Sequence, residues 1–182
     1  MQVHLAPRPV TVTNAPPPAA LDAPFPPASL AAFLALCAGE WLALRSQFLL
    51  GDTSAAEQRE NGWHSSERGE LRVEHLEPRH PGEAGGLVIQ AAAAAQPAQV
   101  LFFDSGGQFT IEAEPARRGS WQLWPDGSLE LVCAMAGLER RERIWFTKPN
   151  LRLRSCVEHG ADGAPARASF SSEIRRLKRP GD

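Results

Sequence analysis

The sequence predicts an all-β protein, an antiparallel barrel closed at one end by a single N-terminal helix. Three observations carry this. Short alternating apolar–polar runs recur at roughly ten-residue spacing, as in β-barrels. Turn residues separate the runs, and only the stretch between Ser29 and Ala38 has helical periodicity. At 182 residues the chain supports one domain with a real core and hardly two. The expected organisation is a proline-rich disordered tail over residues 1–27, then a barrel over 28–178.

The tail has proline runs at Ala15–Pro18 and Pro24–Pro27 and no periodicity to bury. Ser29 then suits a helix N-cap, with Leu30, Phe33, Leu34 and Cys37 at helical spacing and Gly39 at the end. Glu40-Trp41 opens a strand running to Leu50. A short helix followed by Gly-x-Trp resembles the start of a lipocalin-type barrel, in which the helix plugs one end and the indole packs over the closed bottom. Asp52–Glu70 is polar and reads as a loop. Glu70–Glu77 alternates, with Leu71, Val73 and His75 on one side, and Pro78–Gly86 breaks the pattern. The alanines at 91–95 are ambiguous between helix and strand. Val100–Phe103 and Gln108–Glu114 flank a Ser105-Gly106-Gly107 turn; Ser120–Trp124 and Ser128–Met135 flank Pro125-Asp126-Gly127, a strong hairpin pair. Ala166–Arg175 is the last strand.

Arg140–Glu158 alternates on both sides of Lys148-Pro149-Asn150 and reads as a β-hairpin. Two registers are open. A two-residue loop at Lys148-Pro149 sets Trp145 opposite Arg152. A three-residue loop sets Phe146 against Arg152, Ile144 against Arg154 and Glu142 against Cys156. In the second register Glu142, Arg152 and Arg154 share a face. Such a face suits a long, partly apolar ligand with acid groups; the alternative is that these charges face water.

Composition narrows the function classes. The 19 Lys+Arg balance 21 Asp+Glu, a net charge of −2, so nothing pulls the chain toward nucleic acid or an anionic membrane. Cys37, Cys133 and Cys156 match no metal spacing, and His64, His75 and His80 offer no ligand pattern, so no metal is expected. An odd number of distant cysteines fits a reducing cytosol. No run approaches a membrane span and no secretory signal is expected, so the expected location is cytoplasmic.

The string Glu142–Arg154, ERIWFTKPNLRLR, follows a Trp-x-x-x-Pro-Asp-Gly-Ser-Leu hairpin and precedes the strand ASFSSEIRR. Together they resemble the S-type phycobiliprotein bilin lyases, the CpcS/CpeS/CpeU family of cyanobacteria and red-lineage plastids. The opening, Gly39-Glu-Trp41-Leu-Ala-Leu-Arg45-Ser46, resembles that family's Gly-x-Trp-x-x-x-Arg-Ser/Thr start. The similarity runs from about Leu30 to Arg176, loosely over Asp52–Arg118. One departure is that Phe48 and Leu49 stand where the family often carries a histidine pair, which suggests a specialised member or the helper of a two-protein lyase.

The resemblance implies a lipocalin-like barrel that binds a linear tetrapyrrole, phycocyanobilin or phycoerythrobilin, as substrate. It implies attachment by a thioether to a cysteine of an α or β phycobiliprotein subunit, with a homodimer or a second lyase subunit as a further partner and no nucleic acid or membrane. It places the pocket carboxylate on Glu142, as electrostatic or acid partner to the chromophore. The ligand arginines fall on Arg152, Arg154 and Arg45, since guanidinium pairs bidentately with propionate. Arg45 has a second reading as a cation–π partner of Trp41. Trp121, Trp124 and Trp145 read as core or wall, Cys156 as an inert buried thiol, and Arg175–Arg179 as a solvated strand end.

Overall fold

A computed structural model describes residues 12–13, 24–50, 64–92 and 97–176. Among the described residues one helix, α1 (Leu30–Cys37), is followed by ten strands: β2 (Gly39–Leu49), β3 (His64–Leu76), β4 (Glu83–Ala91), β5 (Gln99–Asp104), β6 (Gln108–Glu112), β7 (Arg117–Leu123), β8 (Leu129–Met135), β9 (Leu138–Lys148), β10 (Leu151–His159) and β11 (Pro165–Arg175). Each pairs antiparallel with its sequence neighbour, and β11 returns to β2 and closes the barrel. Closure leaves these strands no free edge. A two-residue strand, β1 (Val12–Thr13), lies beside β3 at Leu76 and His75.

The helix forms where the capping chemistry places it. Ser29 Oγ accepts the Ala32 N–H at 3.2 Å, and Gly39 at φ 138° turns the chain into β2, a value that favours glycine. Leu30, Phe33, Leu34, Leu36 and Cys37 are buried, and Phe33 meets Phe146 edge-on at 5.3 Å between centroids. The helix therefore plugs one end of the barrel. Trp41 packs beneath it, fully buried, and its indole N–H donates to Cys37 O at 3.0 Å.

The interior has two unlike halves. Apolar side chains of β4–β9, such as Leu87, Leu101, Phe103, Phe109, Ile111, Leu129 and Ile144, join α1 in the core. On β10, β11 and β2 the inward positions are mostly polar, and the in-register rows read Arg152–Glu173–Ala43, Arg154–Ser171–Arg45 and Cys156–Ser169–Gln47. The outward positions of the same strands mix serines with apolar side chains, of which Leu42, Leu44, Phe170 and Ile174 are exposed.

Between β9 and β10 the pairing sets Arg152 against Phe146, Arg154 against Ile144 and Cys156 against Glu142. These pairs belong to the three-residue-loop register, although the turn itself differs. Lys148 pairs with Leu151 around a two-residue Pro149-Asn150 turn, and an irregularity next to it leaves Thr147 unpaired. One extra residue in one strand shifts the faces by one position, so the tight turn plus bulge gives the same alignment as the longer loop.

Two sequence expectations need correction. His64–Glu70 is not loop but the outer half of β3, paired with β2 from Phe48↔His64 to Leu42↔Glu70. Every side chain from His64 to Glu70 is exposed, so no burial alternation marks the strand. Strand β4 was hidden by Gly85 and Gly86, which read as a break. Gly86 is there because a Cβ would lie 2.4 Å from Leu101 O and 2.9 Å from the Phe102 ring. The expected 1–27 tail lies largely outside the described residues; within them, Val12–Thr13 pair with β3, and a Cβ on Gly127 would lie 2.6 Å from Pro26. Residues 177–179 of the basic end also lie outside the described residues.

Candidate functional site

Inward alternation on β9, β10 and β11 brings Glu142, Arg154, Arg152 and Glu173 onto one wall. Two residues not picked out from the sequence complete it, Glu173 and Arg140. The charges alternate in sign along the wall: Arg140–Glu142 at 3.1 Å, Glu142 with Arg154 through a short hydrogen bond, Arg154–Glu173 at 3.3 Å, and Glu173 with Arg152 through another. The signal for Glu173 was the spacing Ser169, Ser171, Glu173, Arg175, a polar face opposite Phe170 and Ile174.

The wall is graded in depth. Arg152 is 1% exposed, and its guanidinium carbon lies 4.4 Å from the Trp41 ring centre. Arg175 lies 4.2 Å from the same ring and donates to the carbonyls of Leu36 at 2.6 Å, Pro149 at 3.2 Å and Ala38. Arg175 is thus no solvated strand end, because it caps α1, whose last carbonyls need donors. The Arg154 side chain is 17% exposed and faces the open end. Arg45 donates to Ser169 Oγ at 3.4 Å, nearer the mouth. The cations over Trp41 are therefore Arg152 and Arg175, in place of the expected Arg45.

Electrostatics hold both carboxylates ionised. Burial would push Glu142 up, but Arg154 and Arg140 outweigh it and hold the carboxyl below the ordinary glutamate value. Glu173 is held low in the same way by Arg154 and Arg152 against its burial. Burial, with the neighbouring Arg152 charge, lowers Arg175 to about 10. Cys156, inward and buried, is pushed up by burial despite Arg140, so it stays a neutral thiol. Counted together, Arg45, Arg140, Arg152, Arg154 and Arg175 set five positive charges against two, Glu142 and Glu173, an excess of three.

A small cavity of about 30 Å³ adjoins Glu142 and Arg140, lined also by Gln99 and by apolar side chains including Leu101, Phe109, Ile111 and Leu131. That volume holds a water or two. It is too small for a larger ligand. Arg152, Glu173 and Arg175 form the foundation of the site, Arg154, Arg45 and Arg140 its more accessible layer, and Glu142 lies buried beside Arg154 and Arg140.

The wall lies within the stretch matched by a family model. A model described as CpeS-like protein matches residues 107–176. Chromophore lyase CpcS/CpeS 1 of Paulinella chromatophora is 44% identical over 154 residues, covering 84% of this chain and 91% of that protein. Chromophore lyase CpcS/CpeS 2 of Synechococcus sp. (strain JA-3-3Ab) is 42% identical over 59 residues, 32% of this chain and 31% of that one. Among solved structures, the S-type phycobiliprotein lyase CPES from Guillardia theta shares the fold with a TM-score of 0.53 at 17% identity, over 83% of this chain and 94% of its own. A protein of unknown function from Nostoc punctiforme gives 0.51 at 14%, over 79% of this chain and 49% of its own. With a relative 44% identical across most of both chains, the barrel and its charged wall are those of a member of the CpcS/CpeS chromophore lyase family.

Proposed function

We propose that this chain is a phycobiliprotein lyase. It holds a phycobilin, phycocyanobilin or phycoerythrobilin, and attaches it through a thioether to a cysteine of an α or β phycobiliprotein subunit in the cytosol. The observation that carries the reading is the Glu142–Arg154 ion pair at the open side of a wall with three excess positive charges. A tetrapyrrole with two propionates supplies the missing anions, and guanidinium is the side chain that pairs with them best.

Arg154 and Arg45 grip propionates in this reading. Arg152, carried over by resemblance as an anchor, has almost no surface to offer a ligand and instead supports Glu173 and Trp41. A propionate on Arg154 competes with Glu142 for that guanidinium. Glu142, ionised and partly released, can then stabilise the protonated, electrophilic chromophore through its pyrrole nitrogens. The acceptor thiolate adds to the exocyclic ethylidene carbon. A carbon–sulfur bond forms, the double-bond pair moves into the conjugated system, one proton is taken up there, and nothing leaves. The barrel's part is to hold the chromophore extended and oriented.

A second reading, a non-catalytic bilin carrier or partner subunit of a heteromeric lyase, draws on the mouth. Phe48 meets the His64 ring at 4.9 Å in a tilted arrangement and Leu49 is exposed; as Phe and Leu, neither carries the acid–base group the family often has there. Incubating the chain with bilin and apo-phycobiliprotein separates the two. A lyase yields acceptor that keeps its colour and zinc-enhanced fluorescence after denaturation; a carrier yields none unless a second subunit is added.

A further inference from the structure

Glu142 is held by two guanidiniums, one on each oxygen. Arg154 donates to Oε1, and Arg140 donates to Oε2 at 3.1 Å. Arg140 precedes Glu142 by two residues, so side-chain alternation on β9 puts both on the inward face. The two arginines differ in what else they hold. Arg154 also pairs with Glu173 at 3.3 Å, whereas Glu142 is the one carboxylate that Arg140 pairs with among the described residues. Glu158 stands directly across the ladder from Arg140 but pairs with Arg167 at 3.8 Å, which leaves Arg140 to Glu142. Exposure alone does not rank the two arginines, since the Arg140 side chain is 26% exposed and that of Arg154 17%.

We propose that Arg140 is a positioning residue, which holds Glu142 in place as the chromophore's counter-ion while a bilin propionate draws Arg154 away. The inference rests on the lyase reading, in which Arg154 grips a propionate. Arg154 can turn to that ligand because Glu173 stays beside its Nε. If Arg140 left as well, Glu142 would be a buried carboxylate without a counter-charge, and it would take up a proton. A neutral Glu142 cannot balance a protonated chromophore. The other titratable groups around Glu142 do not replace Arg140. Burial keeps Cys133 on β8 and Cys156 on β10 as neutral thiols, and Glu173 on β11 is a like charge. Arg140 therefore acts through Glu142, not on the propionates or the reacting carbon.

Single-turnover transfer of phycocyanobilin to apo-phycobiliprotein, at saturating bilin and across pH, tests this with Arg140→Gln and Arg140→Lys. Arg140→Gln should bind bilin within about threefold of the parent yet transfer it about tenfold more slowly at neutral pH. Its rate should fall with acid about one pH unit or more above the parent's, because Glu142 loses a counter-charge while burial still raises it. Arg140→Lys restores the charge and should recover most of the rate and of the acid limb. Carbon-13 NMR of the glutamate carboxyls, with Glu142→Gln to assign the signal, reads the Glu142 midpoint without any transfer. In the parent with phycocyanobilin bound it should stay below the ordinary 4.5, and in Arg140→Gln it should rise. A bilin-bound parent midpoint above 4.5 overturns the proposal even if Arg140→Gln fails to fold. So does a folded Arg140→Gln protein with the parent's transfer rate or midpoint, or one that loses bilin affinity as Arg154→Ala does, which would make Arg140 an anchor. A parent that transfers no bilin fails the lyase reading alone, and the NMR midpoints still decide the role of Arg140.

Discussion

Arg152 lies directly across the β10–β11 ladder from Glu173, and the two form an ion pair with almost no solvent contact. Breaking a buried pair from one side leaves an uncompensated charge, at about 3–5 kcal/mol. Glu173→Ala and Arg152→Ala should each lose that much stability in denaturant melts. The double replacement Arg152→Met with Glu173→Leu should recover most of the loss, since apolar substitutes of similar volume are often neutral. Full additivity of the single losses would mean the two residues are not coupled.

Arg154 and Arg45 sit on the solvent side of that pair and should behave differently. Arg154→Ala and Arg45→Ala should each weaken bilin binding by about 1.5–3 kcal/mol, the worth of a hydrogen bond to a charged group. Among the described residues the Arg45 side chain donates only a long hydrogen bond to Ser169, so its replacement should leave the melt nearly unchanged. Absorbance titration with bilin, set beside the melts, checks both. If Arg152→Ala lowers affinity in a fully folded protein while Arg154→Ala does not, the assignment of anchor and foundation is reversed.

How much of this wall could be read from the sequence depended on burial contrast. Glu142, Arg152 and Arg154 stood out because they interrupt apolar alternation around a turn, and the turn's register was the one unknown. Glu173 sits in an equally regular strand, but its neighbours Ser169 and Ser171 are small and polar, so that strand did not announce which face was inside. Arg175 looked like part of a basic tail because its partners, the carbonyls of Leu36, Ala38 and Pro149, are backbone groups brought together only by the fold. The outer half of β3 was invisible for the opposite reason: both of its faces meet water.

Acid should destabilise the protein in two stages. His75 is buried, its Nε2 has no hydrogen-bond partner, and burial lowers its pKa below the ordinary 6.5 despite Glu77. As pH falls below 6.5 the unfolded chain takes up this proton and the folded one resists, so stability declines. Glu142 and Glu173, held low, contribute stability above the ordinary glutamate value near 4.5 and lose it as pH falls through their folded values. Denaturant midpoints from about pH 8 to pH 4 should show the first stage vanish in His75→Gln. A variant curve parallel to the parent's throughout would remove His75 from the account.

The central claim is that Glu142 activates the chromophore while the arginines hold it, and the most direct measurement is single-turnover transfer by Glu142→Gln beside its bilin affinity. The substitution keeps the shape and removes the charge. Bilin should still bind, with its absorption shifted toward the neutral chromophore, and transfer to the acceptor cysteine should slow by a larger factor than binding weakens. Transfer at the parent rate, or binding and transfer lost in equal proportion, would contradict the claim and leave Glu142 as part of the wall alone.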